Sequence, residues 1–178
     1  MGLRDGFRGG DRGQQKDIFL NIEPNSFAVI QFVDEEDSDD IVVVSVHFDE
    51  AANRYYRCIG ENCPYCERNV SRAVRFYAEV YNVNENRNQI LGGGERLRSQ
   101  IIAIADELAE QGRSLTSTQL KIKRIGSRSN TTWQVIPSTT TKAVKTKKEF
   151  KVRDIVSNVI AEPEKKGGEQ FDDILGID

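Results

Sequence analysis

The only histidine and all three cysteines of this chain lie between His47 and Cys66, in the order His47-x10-Cys58-x4-Cys63-x2-Cys66. Imidazole nitrogen and thiolate sulfur are the ligands that zinc prefers in tetrahedral sites, and a Cys-x-x-Cys turn presents two thiolates from one loop. The four residues therefore predict one structural zinc ion. Four protein ligands close the coordination shell, so this metal is expected to stabilise the fold and not to activate water.

Two other interpretations of the cluster remain open. Cys63-Pro-Tyr-Cys66 also matches the redox pairs of thioredoxin-like proteins, which lie in βαβ units. No βαβ pattern surrounds the pair, and Cys58 lies close enough in sequence to interfere with it. The remaining interpretation is a set of buried cysteines and a core histidine with no shared role.

Basic and aromatic residues surround the cluster and recur in a later segment. Such mixtures bind single-stranded nucleic acid, because cations attract phosphates while rings stack on exposed bases. The alternative is that the tyrosines fill a core and the cations form a solvated face. The predicted single-strand contacts are Arg54, Tyr55, Tyr56, Arg57, Arg72, Arg75, Tyr77, Tyr81, Lys121, Lys123, Arg124 and Arg128.

The apolar pattern predicts a mainly β protein of about five strands. The strand-like segments are 27–33, 41–48, 75–83, 89–91, 120–126 and 131–137. The acidic run DEEDSDD, 34–40, is predicted to be the hairpin loop between the first two. In the third, Phe76 and its alternate neighbours are expected to face the core, and Tyr77 and Tyr81 to face an exposed contact surface.

Two segments have helical spacing instead. Leu97, Ile101, Ile104 and Leu108 predict an amphipathic helix over 95–111, with Gly112 as its stop. Apolar residues of the same spacing predict a C-terminal helix within 147–160. A helix between the third and fourth strands is the order of an OB-fold barrel. The predicted fold is therefore an OB-fold barrel with an inserted zinc-binding loop, one helix between strands and a C-terminal helix.

The chain of 178 residues has a net charge of −3, which is unevenly distributed. Residues 1–16 form a Gly-rich segment that we expect to be a flexible basic arm, and residues 161–178 are expected to be a disordered acidic tail. The predicted zinc-containing OB-fold domain covers 17–146. Because the body between the acidic segments is basic, the sequence pI of 5.4 does not argue against a polyanionic partner.

Two observations predict the compartment. No apolar run approaches the roughly 20 residues of a membrane span, so no membrane association is expected. Three crowded cysteines argue against a secreted disulfide framework. The expected location is cytoplasmic, in the host cell cytoplasm if the protein is phage-encoded.

The order of these features resembles the zinc-containing single-stranded-DNA-binding proteins of T4-like bacteriophages. The resemblance covers about residues 17–137 and rests on His47, Cys58, Cys63 and Cys66 within an OB-like strand order, followed by KIKRIG and TTWQVIP. It implies cooperative coating of single-stranded DNA, with self-association on the DNA, during phage replication, recombination and repair. It also implies that an acidic tail recruits replication proteins.

The predicted function is therefore a non-enzymatic single-stranded-DNA-binding protein. The only histidine is used for metal, and the Gly-rich LGGGERLRS lacks the Lys-Ser/Thr of a phosphate loop. The alternative is a zinc-dependent protein-interaction or transcription-regulating module. The residues predicted to dock replication proteins combine apolar and acidic side chains and are Phe171, Asp172, Asp173, Ile174 and Leu175.

Overall fold

A computed structural model describes residues 18–139 and 142–164. The strands are β1 Phe27–Phe32, β2 Val42–Asp49, β3 Arg54–Arg57, β4 Arg72–Asn82, β5 Arg87–Gly94, β6 Gln119–Ile125 and β7 Thr132–Pro137. The α-helices lying wholly within these residues are α1 Pro64–Glu67, α2 Glu95–Glu110 and α3 Val152–Val159. The predicted arm, 1–16, and the predicted docking residues, 171–175, lie outside the described residues. None of the described helices is both long and apolar enough to cross a membrane.

All seven strands belong to one antiparallel sheet, in which β4 is the central strand. One edge of β4 pairs with β5 along its length. The other edge pairs first with β2 and then with β1, so that β1 and β2 lie end to end beside β4. On its other edge β1 pairs with β6, which pairs with β7. On its other edge β2 pairs with β3. The mainly β prediction is confirmed.

The predicted hairpin at 34–40 is wrong. β1 and β2 do not pair with each other, because Phe32 lies opposite Val80 and Val42 opposite Tyr77 on the same edge of β4. The acidic run, which we call the acidic excursion, is thus a loop that interrupts what would otherwise be a single strand beside β4. Its polar side chains made a hairpin the simplest interpretation, but pairing partners depend on contacts that are distant in sequence.

One face of the sheet forms the main core with α2. The helix buries Leu97, Ile101, Ala105 and Leu108 against this face, which confirms the helical prediction. The helix ends at Glu110, and Gly112 adopts the left-handed conformation that its position after the helix requires. In the described residues β7 pairs only with β6, and no pairing closes the sheet against β5. The predicted barrel is therefore not confirmed.

The second face of the sheet is covered by the C-terminal part of the chain, which we call the C-terminal strap (residues 142–162). Its first part is extended, and only Val152–Val159 is helical, so the observed helix is shorter than the predicted 147–160. Val152 and Val156 of the strap pack in a second apolar cluster with Tyr77. Tyr77 retains only 4% exposure, so its predicted placement on an exposed face is wrong.

Buried polar side chains of the sheet hold the backbone of the strap. Gln31 donates to the Val144 carbonyl at 2.7 Å and accepts the Val144 N–H at 2.8 Å. Glu79 accepts the N–H groups of Glu149, at 2.8 Å, and Phe150, at 3.2 Å. These bonds satisfy backbone groups that a helix would otherwise pair internally, which explains why the strap is extended here.

Candidate metal site and aromatic-basic surface

The four predicted metal ligands come together from three separate elements. His47 lies on β2, Cys58 directly follows β3, and Cys63 and Cys66 lie at the start and within the single turn of α1. Their ligand atoms all lie within 4.8 Å of one another, close enough to hold a metal ion. The pairing of β2 with β3 brings His47 and Cys58 together, and Pro64 starts the turn that presents the other two.

Two distances within the cluster are close to those of a tetrahedral zinc site. Cys58 Sγ and Cys66 Sγ are 3.7 Å apart, and Cys66 Sγ is 3.4 Å from His47 Nε2. Zinc–sulfur bonds of about 2.3 Å and zinc–nitrogen bonds of about 2.0 Å at tetrahedral angles require separations of roughly 3.5–3.8 Å. The side chains present therefore have both the chemistry and the spacing of zinc ligands.

The environment of His47 orients its ring toward the thiols. The side chain is fully buried, and Nδ1 lies 3.0 Å from the Val70 carbonyl and 3.2 Å from the Ser71 carbonyl. Because carbonyl oxygens only accept hydrogen bonds, Nδ1 carries the proton and Nε2 keeps its lone pair. A backbone acceptor on the far nitrogen is the usual way in which a metal-binding histidine is fixed.

Two thiols of the cluster differ in acidity. A hydrogen bond from the Gly60 backbone, with contacts from His47 and Cys66, lowers the pKa of Cys58 to about 6. The hydrogen bond with Cys58 raises the pKa of Cys66 to about 11. Because zinc binds thiolates, metal binding must displace the proton of the less acidic thiol, Cys66.

Aromatic rings pack around the site and connect it to β3. Tyr65 of α1 stacks on His47 at 5.6 Å and on Tyr56 at 5.1 Å between ring centroids. The Tyr65 hydroxyl donates to Asp49 at 3.0 Å. The Arg68 guanidinium lies over the Tyr65 ring, 4.7 Å from its centroid. Tyr56, predicted as a stacking platform for bases, therefore already stacks within the protein.

The predicted single-strand contacts separate into two groups. The metal-side group consists of Arg54, Tyr55, Tyr56, Arg57, Arg72 and Arg75, and the hairpin group consists of Lys121, Lys123, Arg124 and Arg128. Arg57 pairs with Val46 of β2, which in turn pairs with Ala73 of β4. Lys121 pairs with Val29 of β1, which in turn accepts a hydrogen bond from Val83, the residue after β4. Ala73 and Val83 are ten residues apart, roughly 30 Å at the rise of a strand. The structure does not bring the groups together.

Most members of both groups remain accessible, and Tyr77 and Tyr81 are the two predicted contacts that belong to neither group. Arg54, Arg72, Lys121, Lys123 and Arg128 are exposed, whereas the remaining cations of the two groups are half-buried. Tyr77 belongs to the core. Tyr81 is half-buried, and its hydroxyl donates to Asn86 in the turn after β4.

Two exposed aromatic rings were not among the predicted contacts. Phe27 retains 48% exposure beside the hairpin group, with Lys121 Nζ 4.1 Å from its ring centroid. Phe48 retains 36% exposure and packs on Tyr55 at 5.1 Å between ring centroids. Sequence reasoning treated both as strand residues with a buried side. The available signals in the sequence were an aromatic residue at the start of a strand segment, Phe27, and an aromatic residue directly after the histidine, Phe48.

No family model, curated protein or solved structure matches this chain.

Proposed function

We propose that His47, Cys58, Cys63 and Cys66 bind one structural zinc ion. The carrying observation is that three thiols and an imidazole, whose far nitrogen is held by backbone carbonyls, place their ligand atoms within 4.8 Å of one another. Zinc in this position would fix β2, the end of β3 and α1 relative to one another. With four protein ligands no coordination position is left for a substrate, which supports a role without catalysis at this site.

We propose further that the protein binds single-stranded DNA through an OB-like sheet. If β1 and β2 count as one interrupted strand and β3 as part of the inserted metal-binding loop, α2 lies between the third and fourth strands, as the helix of an OB fold does, and OB barrels are partly open. Exposed cations with aromatic rings beside them, Arg54 with Tyr56 and Lys121 with Phe27, support a sequence-tolerant contact with phosphates and bases. A role in replication, recombination and repair, and recruitment of replication proteins by the acidic tail, complete the proposal.

The distinguishing measurement is a competition titration with a labelled single strand. Unlabelled single strand should displace the probe at much lower concentration than duplex of the same sequence. Displacement by duplex with equal efficiency would favour a duplex-binding or transcription-regulating module, and absence of probe binding would overturn the nucleic-acid proposal. The titration is repeated across salt, because each neutralised phosphate contributes about −0.7 to the slope of log affinity against log salt.

Phe27→Ala is expected to weaken single-strand binding without changing its salt dependence. A stacked base contributes roughly 1–3 kcal/mol, equivalent to about 5–150-fold in affinity, and stacking releases no counterions. The matched control is Ile102→Ala, which removes an apolar side chain of 37% exposure from α2 on the other side of the sheet. Fluorescence anisotropy measures both variants. Equal losses for Phe27→Ala and Ile102→Ala would contradict a stacking role.

A further inference from the structure

The C-terminal strap crosses the second face of the sheet between the two separated groups of predicted contacts. It leaves β6 where Gln119 donates to the Lys142 carbonyl, and it crosses β5 where Asn88 donates to the Lys147 carbonyl. It ends on the free edge of β3, where the Arg57 N–H donates to the Ala161 carbonyl at 2.8 Å. The strap therefore connects the hairpin group to the metal-side group.

The sheet holds the first part of the strap, 142–151, by its backbone and leaves most side chains of this part exposed. The bonds from Gln31, Asn88 and Glu79 all reach main-chain atoms of the strap. Residues 142–153 carry six basic residues and one acidic residue. Lys145, Lys147 and Lys151 are exposed, and none forms an ion pair within the described part of the chain.

Lys148 differs from these three lysines because its charge is already used within the protein. Its ammonium group forms ion pairs with Asp34, at 3.3 Å, and with Asp40 of the acidic excursion. Those contacts raise the pKa of Lys148 although burial opposes the rise. Lys148 thus links the strap to the loop between β1 and β2 by ion pairs. The other three lysines keep charges that are unpaired within the described residues.

The position of the strap determines which part of the protein a ligand on this face would contact. OB folds that bind oligonucleotides do so across the face of their second and third strands and the adjoining loops. In the OB-like interpretation those strands are β4 and β5, and their outer face is covered where Glu79 and Asn88 bind the strap. A single strand crossing this face would therefore contact the outer side of the strap and not the sheet.

We propose that Lys145, Lys147 and Lys151 contact the phosphates of a bound single strand and join the metal-side and hairpin groups into one path. This inference rests on the proposed single-strand binding. Charge complementarity supports it, because unpaired cations on a backbone-anchored segment occupy the gap of roughly 30 Å between two cationic groups. The strap lysines were missed by sequence reasoning, which assigned their segment to the domain end and to a helix. The signal was the run KAVKTKKEFK.

The test is the salt dependence of binding of a labelled oligothymidylate to the full-length protein and to the variant Lys145→Gln/Lys147→Gln/Lys151→Gln. Loss of three phosphate contacts is expected to reduce the steepness of log affinity against log salt by about 2, and each single substitution by about 0.7. The control is Arg96→Gln, which removes one exposed positive charge from α2. It is expected to leave the slope unchanged. Thermal unfolding should be the same for all variants, since the replaced side chains are exposed.

Three outcomes would overturn the inference, and they are distinguishable. If the unmodified protein binds the oligonucleotide and the triple variant shows the same slope, the strap lies outside the path and the proposed function stands. If the unmodified protein does not bind single strands at all, the proposed function fails and the inference fails with it. A slope reduced equally by Lys147→Gln and Arg96→Gln would indicate general charge attraction and would also overturn a defined path.

Discussion

Cys63→Ser protein is expected to lose its zinc and much of its thermal stability together. Cys63 is buried and precedes the turn that also carries Cys66, so its loss opens the coordination shell at its most enclosed thiol. Zinc binding in small structural sites is worth about 10–16 kcal/mol at neutral pH. Loss of even ~5 kcal/mol would lower the melting temperature by about 10–20 °C in a domain of this size. Elemental analysis and calorimetry measure the two effects.

The control for this substitution is Glu61→Gln, an exposed change in the same loop that should retain one zinc per chain. Chelator provides a second comparison, because it should lower the melting temperature of the unmodified protein toward that of Cys63→Ser and leave the variant unchanged. Zinc-free protein from a preparation without chelator would contradict the metal assignment. A stable Cys63→Ser variant that keeps its zinc would contradict the role of Cys63.

Glu79→Ala is expected to destabilise the fold by about 2–5 kcal/mol. Its carboxylate is fully buried and accepts two backbone N–H groups of the strap and the Asn88 side chain, at 2.5 Å. Each buried donor left without an acceptor costs about 1–3 kcal/mol. Urea unfolding gives the change in free energy. Amide exchange at Glu149 and Phe150 should accelerate more than exchange in α2.

The matched substitution is Glu107→Ala, which removes an exposed carboxylate from α2 and is expected to change stability by less than about 0.5 kcal/mol. If Glu79→Ala and Glu107→Ala unfold at the same urea concentration, the carboxylate does not anchor the strap. Glu79→Gln should fall between the two, since one amide oxygen remains as an acceptor.

Local sequence patterns were sufficient for the features whose partners are close in sequence. The metal cluster is predictable because two of its ligands lie on one turn and the others flank a short hairpin, β2 to β3. Helix α2 is predictable because its apolar residues recur at helical spacing beside one core. In both cases the chemistry that defines the feature lies within about twenty residues.

The second face of the sheet could not be predicted in the same way. The alternation of polar residues along β4 is typical of a solvated face, yet Tyr77 and Glu79 are covered by the strap. The strap covers this face through contacts such as the hydrogen bond between Gln31 and Val144, which are 113 residues apart. Nothing in either local sequence specifies that contact. The acidic excursion was interpreted as a hairpin for a similar reason, because the partners of β1 and β2 on β4 are 35–48 residues away in sequence at Val42–Tyr77 and Phe32–Val80.

The anchoring of the strap by polar groups has a consequence for synthesis on the ribosome. Gln31 emerges 113 residues before Val144, an interval of roughly 6–23 s at 5–20 residues per second. During that time the side chains of Gln31, Glu79 and Asn88 can be hydrated, whereas an apolar surface of the same extent would attract other nascent chains. Beneath the first part of the strap, these polar side chains therefore allow late docking without an exposed apolar surface, whereas the apolar cluster around Tyr77 stays uncovered until Val152 and Val156 arrive.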